Sequence, residues 1–579
     1  MWRTEADLIQ RQDSAGFVFP NVPWDSNLLK MPTPLDRTPT MIGEWWQTSA
    51  IYQVYPRSFQ DSNHDGTGDL RGIISRLAHF IELGVGTIWL SPVFTSPMAD
   101  FGYDISDYRR IDPLFGTMRD FDELLAACHS AGLKVLLDLV PNHTSAQHPW
   151  FLESRTAIDS PKRDWFLWRD PALGGGPPNN WISQFGGSGW EYDANTGQYY
   201  YHTFLKEQPD LNWHNPEVRE AIHDVMRFWL ERGVDGFRAD AIWYLLKDEQ
   251  LRNNPQNPSF RPGEPPQHAL IPLYTADQPG IHDIVRGMRR VVDEFDKRVL
   301  LGEIYLPIER IMAYYGRDLD GTHFPFNFSL LETKWEARVI ARLISEYESA
   351  LPHGGWPNWV LGNHDRPRIA TRVGPDQARI AAMLLLTLRG TPTIYYGDEI
   401  GLENVPIEPC QVQDPFEKNV PGLGLGRDGV RTPMQWDATA NAGFTSAQPW
   451  LPTSGDFEIR NVGCQRDDPA TMYNLYRRLT ATRRLRLSLS IGCYQPIGAA
   501  GDLLLFVRRH EDERTLVALN FGSESLAASF TARALQGQII MSTLPDRVGE
   551  TVNGEFSLRP HEGLMIDVAV GSEVPLSII

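Results

Sequence analysis

Three acidic residues each close an apolar run: Asp240 in Gly236-Phe-Arg-Ala-Asp240, Glu303 in Leu300-Leu-Gly-Glu303, and Asp365 in Val360-Leu-Gly-Asn-His-Asp365. A carboxylate at the end of a buried strand is costly to ionise, so it usually has a chemical reason to be there. Residues two apart in a strand face the same way, so Arg238 and Asp240 share one side of the Gly236–Ala241 run. The guanidinium is expected to hold Asp240 ionised, the state a nucleophile needs. Glu303 follows Val299-Leu-Leu-Gly302 and precedes Ile304, an apolar setting that favours the protonated acid, the state a proton donor needs. Two carboxyls whose surroundings favour opposite protonation states are how glycosidases divide labour. Asp365 comes with Asn363 and His364, whose donors suit sugar hydroxyls. Each site also has a structural reading: an ion pair at a strand end, or a surface acid at a strand terminus.

A second pattern stands on its own chemistry. Asp61-Ser-Asn63-His-Asp65-Gly-Thr67-Gly-Asp69 puts oxygen groups at alternate positions around a glycine turn. That is the first half of an EF-hand loop without the bidentate Glu that closes it, so a calcium switch is not expected. A structural ion and a metal-free Asx-rich turn are the two readings.

The elements that must present these groups begin at Ile51. Strand-like runs at 51–55, 87–90, 134–140, 236–241, 299–304, 326–330, 358–363 and 392–397 alternate with amphipathic stretches such as 72–81 and 121–127. Eight strands alternating with helices predict a closed, parallel (β/α)8 TIM barrel, an α/β fold whose strand ends converge on one pocket. The reading divides the chain into an N-terminal extension (1–43), the barrel (44–140 and 216–495), an inserted irregular subdomain after the third strand (141–215), and a C-terminal antiparallel β-sandwich (496–579). The insertion, rich in Trp, Gly, Asn and Tyr, and a Pro-rich loop at 249–278 lie on the barrel face where loops carry function.

Bulk properties narrow the partners. A net charge of −19 argues against nucleic acid or an anionic membrane surface and is compatible with a neutral sugar. Cys128, Cys410, Cys464 and Cys493 show no metal-ligand spacing and are expected to be mostly buried small apolar residues. The N-terminus lacks the apolar core of a signal peptide and no window reaches membrane-spanning length, so a reducing cytoplasm is the expected address.

Asp138-Leu-Val-Pro-Asn142-His143, Gly236-Phe-Arg-Ala-Asp240, Gly302-Glu303 and Asn363-His364-Asp365 resemble, in order, four sequence regions of the α-amylase family, glycoside hydrolase family 13. Gln208-Pro-Asp-Leu-Asn-Trp213 resembles a fifth, in the form of the oligo-1,6-glucosidase and α-glucosidase branch. Further matches at 51–59, 102–108 and 431–437 extend the resemblance over roughly residues 44–579. It implies that Asp240 is the nucleophile, Glu303 the acid/base and Asp365 the residue that grips the ring hydroxyls. It implies that Tyr103, His143, Arg238 and His364 line the glucose subsite beside Phe185, Phe204 and Gln208. Asp100 would pair with an Arg from the region of Arg427 and Arg431, Arg431 being favoured, and close the pocket behind the sugar's 4-hydroxyl. The resemblance further implies one structural Ca2+ held by Asp61, Asn63, Asp65, Asp69 and the Thr67 carbonyl, with no organic cofactor. Within this branch Ala241, next to the nucleophile, goes with α-1,4 rather than α-1,6 bonds. The expected activity is therefore a retaining, exo-acting α-glucosidase on short, maltose-like α-glucosides, with transglucosylation. A sucrose- or trehalose-type transferase or isomerase, an oligo-1,6-glucosidase, and a non-catalytic transporter-associated relative are the alternatives.

Overall fold

The computed structural model describes residues 43–529 and 535–572. The expected N-terminal extension, apart from Gly43, and the final residues of the expected sandwich lie outside that range.

Eight parallel strands form the barrel: β1 (Ile51–Val54), β2 (Thr87–Leu90), β3 (Lys134–Leu139), β4 (Gly236–Ala239), β5 (Val299–Ile304), β6 (Phe324–Asn327), β7 (Asn358–Val360) and β8 (Thr391–Tyr395). Their hydrogen-bonded order is β6-β5-β4-β3-β2-β1-β8-β7, and β6 lies beside β7 to close the ring. Nearly every residue of these strands is buried, as expected where helices cover the outside and side chains fill the inside. The sixth strand was expected at 326–330 and instead ends at Asn327. The Asn327 side-chain oxygen accepts the Ser329 N–H at 3.1 Å, a local turn bond that competes with extension, and the chain passes into the short helix Ser329–Glu332.

Register decides which side chains meet at the barrel mouth. Asp138 on β3 lies directly opposite Arg238 on β4, and Ala239 lies opposite Gly302 on β5. Gly302 lets Ile242 pack close: a Cβ there would come within 2.4 Å of Ile242 Cδ1 and displace that side chain. Strand β4 stops two residues short of its expected end: Ala241 adopts φ 48° and ψ 35° and starts the 3-10 turn Ile242–Tyr244. Asp240, whose N–H still donates to the Leu139 carbonyl at 2.8 Å, is the last residue held to the neighbouring strand before the turn.

Within the inserted segment, Trp168–Arg169, Gln198–Tyr201 and Trp190–Asp193 pair as a small antiparallel sheet. At the C-terminal end a six-stranded antiparallel sheet is faced by the two-stranded antiparallel sheet Leu526–Ser529/Glu555–Leu558, with Leu505, Val507, Ile566, Phe556 and Leu558 between the layers. Its first strand, Cys493–Ala500, begins slightly before the expected boundary. Buried Arg508, on the strand Leu503–His510, donates to the Thr387 carbonyl at the end of helix Pro375–Thr387, tying this layer to the barrel, and buried Arg483 of helix Met472–Leu485 donates to the Leu386 and Leu388 carbonyls beside it. The expectation for the cysteines is corrected: all four are free, and only Cys128 is buried. Cys410, Cys464 and Cys493 sit on a surface turn, a short helix and an edge strand.

Candidate active site

Fully buried Arg238 is the centre of the site. Its Nη1 donates to Asp138 Oδ1 and to Asp240 Oδ1, both at 2.7 Å. Its Nη2 stands 2.9 Å from Glu303 Oε2, an ion-pair contact. The same Glu303 oxygen accepts the Ala241 backbone N–H at 2.9 Å, a donor aimed by the left-handed turn at that residue. Asp240 and Glu303 are thus drawn together by one partner, Arg238. Burial first, and then Glu303, push the Asp240 carboxyl well above the ordinary carboxylate range. Arg238 opposes this without cancelling it. The expectation that Arg238 holds Asp240 ionised is corrected to this extent: one guanidinium serves three carboxyls, so its pull on Asp240 is shared. Asp138 beneath them is pushed up to about 6 by burial, against the pull of Arg238.

Asp365 behaves in the opposite way. Burial would raise it, but the guanidinium groups of Arg431 and Arg427 hold it well below the ordinary range. Arg431 Nη2 lies 2.7 Å and Arg427 Nη1 3.2 Å from Asp365 Oδ1. His364, kept neutral by burial, contacts Tyr103 Oη at 2.7 Å and stacks on that ring with 5.4 Å between centroids. Tyr103 in turn donates to Asp138 Oδ2 at 3.0 Å, so Asp365, His364, Tyr103, Asp138, Arg238 and Asp240 form one connected polar layer.

The closed end of the pocket departs from expectation. Asp100 pairs with Arg427, at 2.8 Å, rather than with the favoured Arg431. The two arginines flank the single 3-10 turn Asp428–Val430 and both reach Asp365, but Arg431 is turned inward, its Nε donating to the His364 carbonyl at 2.8 Å. Asp414 explains why Arg427 takes the outer position: it grips the Arg427 Nε and Nη2 at 3.0 and 2.8 Å. Gln208 links this end to the side wall, donating to Asp100 Oδ2 and approaching His143 Nε2, both at 3.2 Å. Phe204 packs edge-on against His143 at 5.2 Å, Phe185 lies 5.9 Å from Phe204, and Arg427 sits 5.0 Å over the Phe185 ring. Thus the ten substrate-side candidates converge on one mouth with the three acids. Sequence reading missed Asp138 as a partner of Arg238, Asp414 as the anchor of Arg427, and Phe416, which packs on Phe185 at 5.1 Å. Asp138 stood inside a quoted motif, whereas nothing in the spacing singles out Asp414 or Phe416.

The Asp61–Asp69 loop lies away from these groups. Its donors are of the hard-oxygen type that suits Ca2+. As folded, they serve backbone N–H groups: Asp61 accepts from Asn63, His64 and Gly66, Asn63 Oδ1 from Asp65, and Asp65 Oδ1 from Thr67. Asp69 caps the helix Leu70–Ser75 through Gly72 N–H at 2.7 Å. Among the described residues no three Asp, Glu, His or Cys side chains converge as a metal-ligating group. No helix among them is long and apolar enough to cross a membrane.

Comparison with known proteins places this geometry. A probable alpha-glucosidase of Rhizobium meliloti (strain 1021) is 42% identical over 509 residues, 85% of this chain and 92% of the relative. An amino acid transporter heavy chain of Rattus norvegicus is 38% identical over 546 residues, 90% of this chain and 78% of the relative. A crystallographically solved alpha-glucosyl transfer enzyme, 39% identical, superposes with a TM-score of 0.87 over 91% of this chain and 100% of its own. The catalytic-domain model of the alpha-amylase family matches residues 53–492. The chain belongs to the α-amylase family, glycoside hydrolase family 13.

Proposed function

We propose that this protein is a retaining, exo-acting α-glucosidase that releases α-glucose from the non-reducing end of short α-glucosides. The carrying observation is the common hold of Arg238 on the two acids, Nη1 2.7 Å from Asp240 Oδ1 and Nη2 2.9 Å from Glu303 Oε2, which brings the carboxyls together. An inverting pair leaves room for a water between its carboxyls, about 6.5–9.5 Å apart, whereas a retaining pair is closer. In this reading Glu303 carries the proton to be donated and Asp240 is the free carboxylate. Asp240 Oδ attacks the anomeric carbon as Glu303 gives its proton to the departing oxygen; Glu303 then takes a proton from water as that water displaces Asp240. Asp365, ionised between two arginines, grips ring hydroxyls as positive charge develops on the sugar. The Asp100–Arg427 pair, backed by Asp414, blocks chain continuation beyond a terminal glucose, which favours exo action.

A panel of maltose, isomaltose, sucrose, trehalose and starch, with product anomers followed by NMR, tests the reading. First-formed β-glucose would overturn retention, and activity confined to starch would overturn the closed pocket. The likeness to an alpha-glucosyl transfer enzyme supports transglucosylation as part of the same chemistry, since an acceptor sugar can take the place of water. Likeness to a transporter heavy chain raises a binding-subunit reading, but the complete set of acids around Arg238 favours catalysis. Free and mostly exposed cysteines fit the reducing cytoplasm proposed for it.

We further propose α-1,4 preference, through Ala241. The residue is 2% exposed and its N–H holds Glu303, so its influence passes through the acid as well as through space for the leaving sugar. Ala241→Val should shift the isomaltose-to-maltose ratio of kcat/KM upward by about tenfold, the scale of small pocket changes. An unchanged ratio removes Ala241 from linkage choice.

The Asp61–Asp69 loop is proposed to hold one Ca2+, with Asp61, Asn63, Asp65, Asp69 and the Thr67 carbonyl as its oxygen donors. If so, added Ca2+ should raise the melting temperature of the chelator-treated protein, and Asp65→Ala should abolish that rise. Calorimetry showing no Ca2+-dependent shift in the unaltered protein would leave the loop as an Asx-rich turn.

A further inference from the structure

Trp450 lies outside the barrel strands and outside every matched motif, yet it touches three residues that hold the pocket's closed end. Its ring is 5.4 Å from Phe101, the residue after Asp100. It stacks at 6.3 Å and 27° on Tyr55, whose other neighbour is His364, stacked at 5.9 Å. Its indole N–H donates to Ser58 Oγ at 2.9 Å, and Ser58 in turn donates to the Arg431 carbonyl. Phe101 adopts φ 49°, a left-handed conformation that a non-glycine residue keeps only where its surroundings hold it. Those surroundings include Trp450, the Arg57 guanidinium, which lies 5.3 Å from the Phe101 ring and 5.0 Å from Trp450, and the Arg431 guanidinium 5.8 Å from the Phe101 ring. Behind the ring, the Trp450 backbone N–H donates to the Gly66 carbonyl at 3.0 Å, which fixes the indole against the Asp61–Asp69 loop.

We propose that Trp450 is a positioning residue for the closed end of the pocket: through Phe101, Tyr55 and Ser58 it sets where Asp100, His364 and Arg431 stand. The proposal rests on the closed-pocket reading, in which Asp100 and its arginine partner hold the 4-hydroxyl of the terminal glucose. Trp450 touches no substrate in this account and acts only by placing groups that do.

The test compares p-nitrophenyl α-glucoside with its 4-deoxy analogue, by steady-state kinetics on the full-length protein. The unaltered enzyme should prefer the 4-hydroxyl substrate by about 10²-fold or more in kcat/KM, because a site built to bond a hydroxyl rejects the analogue lacking it. Trp450→Ala should cut that preference by about tenfold, mainly through KM for the 4-hydroxyl substrate, as expected for sub-ångström misplacement of the binding groups. A mere packing role would lower both substrates equally and leave the ratio unmoved, which overturns the proposal. If the unaltered enzyme shows no preference, the closed-pocket reading fails and the proposal with it. Trp450→Phe retains a ring but loses the N–H to Ser58 and the reach to Phe101. It should lower the ratio by about threefold on the same grounds, and it decides the question if the alanine variant does not fold. An unchanged ratio in a folded Trp450→Phe protein under that condition overturns the proposal.

Discussion

Replacing Asp240 by alanine should lower turnover of every glucoside by about 10⁴-fold or more, the loss typical of a removed nucleophile. Two features of the site make the expectation large. Asp240 stands at the end of β4, just before the left-handed turn at Ala241, and its Oδ1 is oriented by Arg238 at 2.7 Å. No other carboxylate can take its place, because Asp138 is committed to Tyr103, Trp89 and Arg238 beneath the mouth. The variant should also be stable, since removing one of three acids around Arg238 relieves like-charge crowding while leaving the guanidinium paired with Asp138 and near Glu303. Added azide supplies a small anionic nucleophile to the vacated face. The product expected from an activated glucoside is then β-glucosyl azide, identified by NMR, because attack occurs once and from the side Asp240 occupied. Formation of the α-anomer would remove Asp240 from the nucleophile's role.

How much of this was legible in the sequence follows the physics of each signal. Periodicity exposed the eight strands, because a strand buried on both faces must be apolar along its whole length. Motif order exposed the acids. Cross-strand register is invisible to such reading, so Asp138 opposite Arg238 was not seen as the third claimant on one guanidinium. The Asp100 partner was misassigned for a related reason. Arg427 and Arg431 are four apart around a one-turn 3-10 helix and both reach Asp365, so spacing cannot say which continues to Asp100. The answer lies in Asp414, thirteen residues earlier, which pulls Arg427 outward. The sixth strand ended early because of one side-chain-to-backbone bond from Asn327, a local competitor that an apolar run does not reveal. The cysteines were misjudged because burial was inferred from residue type, whereas three of them occupy surface elements.

Glu303→Gln separates acid catalysis from everything else the site does. Maltose has a poor leaving group that needs a proton, so its turnover should fall by about 10³-fold, within the range general acid catalysis contributes. A 2,4-dinitrophenyl or fluoride leaving group departs without help, so formation of the glucosyl-enzyme from such a substrate should be almost unaffected. The second step still needs a base, and the intermediate should therefore accumulate and be visible by mass spectrometry as a covalent adduct on Asp240. Glutamine keeps an acceptor oxygen for the Ala241 N–H at the place where Glu303 Oε2 now stands, which limits structural disturbance. It also removes the neighbouring acid from beside Asp240. Burial still raises the aspartate, but the neighbouring acid that adds to that rise is gone while Arg238 continues to lower it. The acidic limb of the rate profile with an activated substrate should therefore move to lower pH. Azide, which needs no base, should rescue turnover and give α-glucosyl azide, the anomer opposite to that expected from the Asp240 variant. Equal losses on maltose and on the activated substrate, with no adduct, would place the proton donor elsewhere in the mouth.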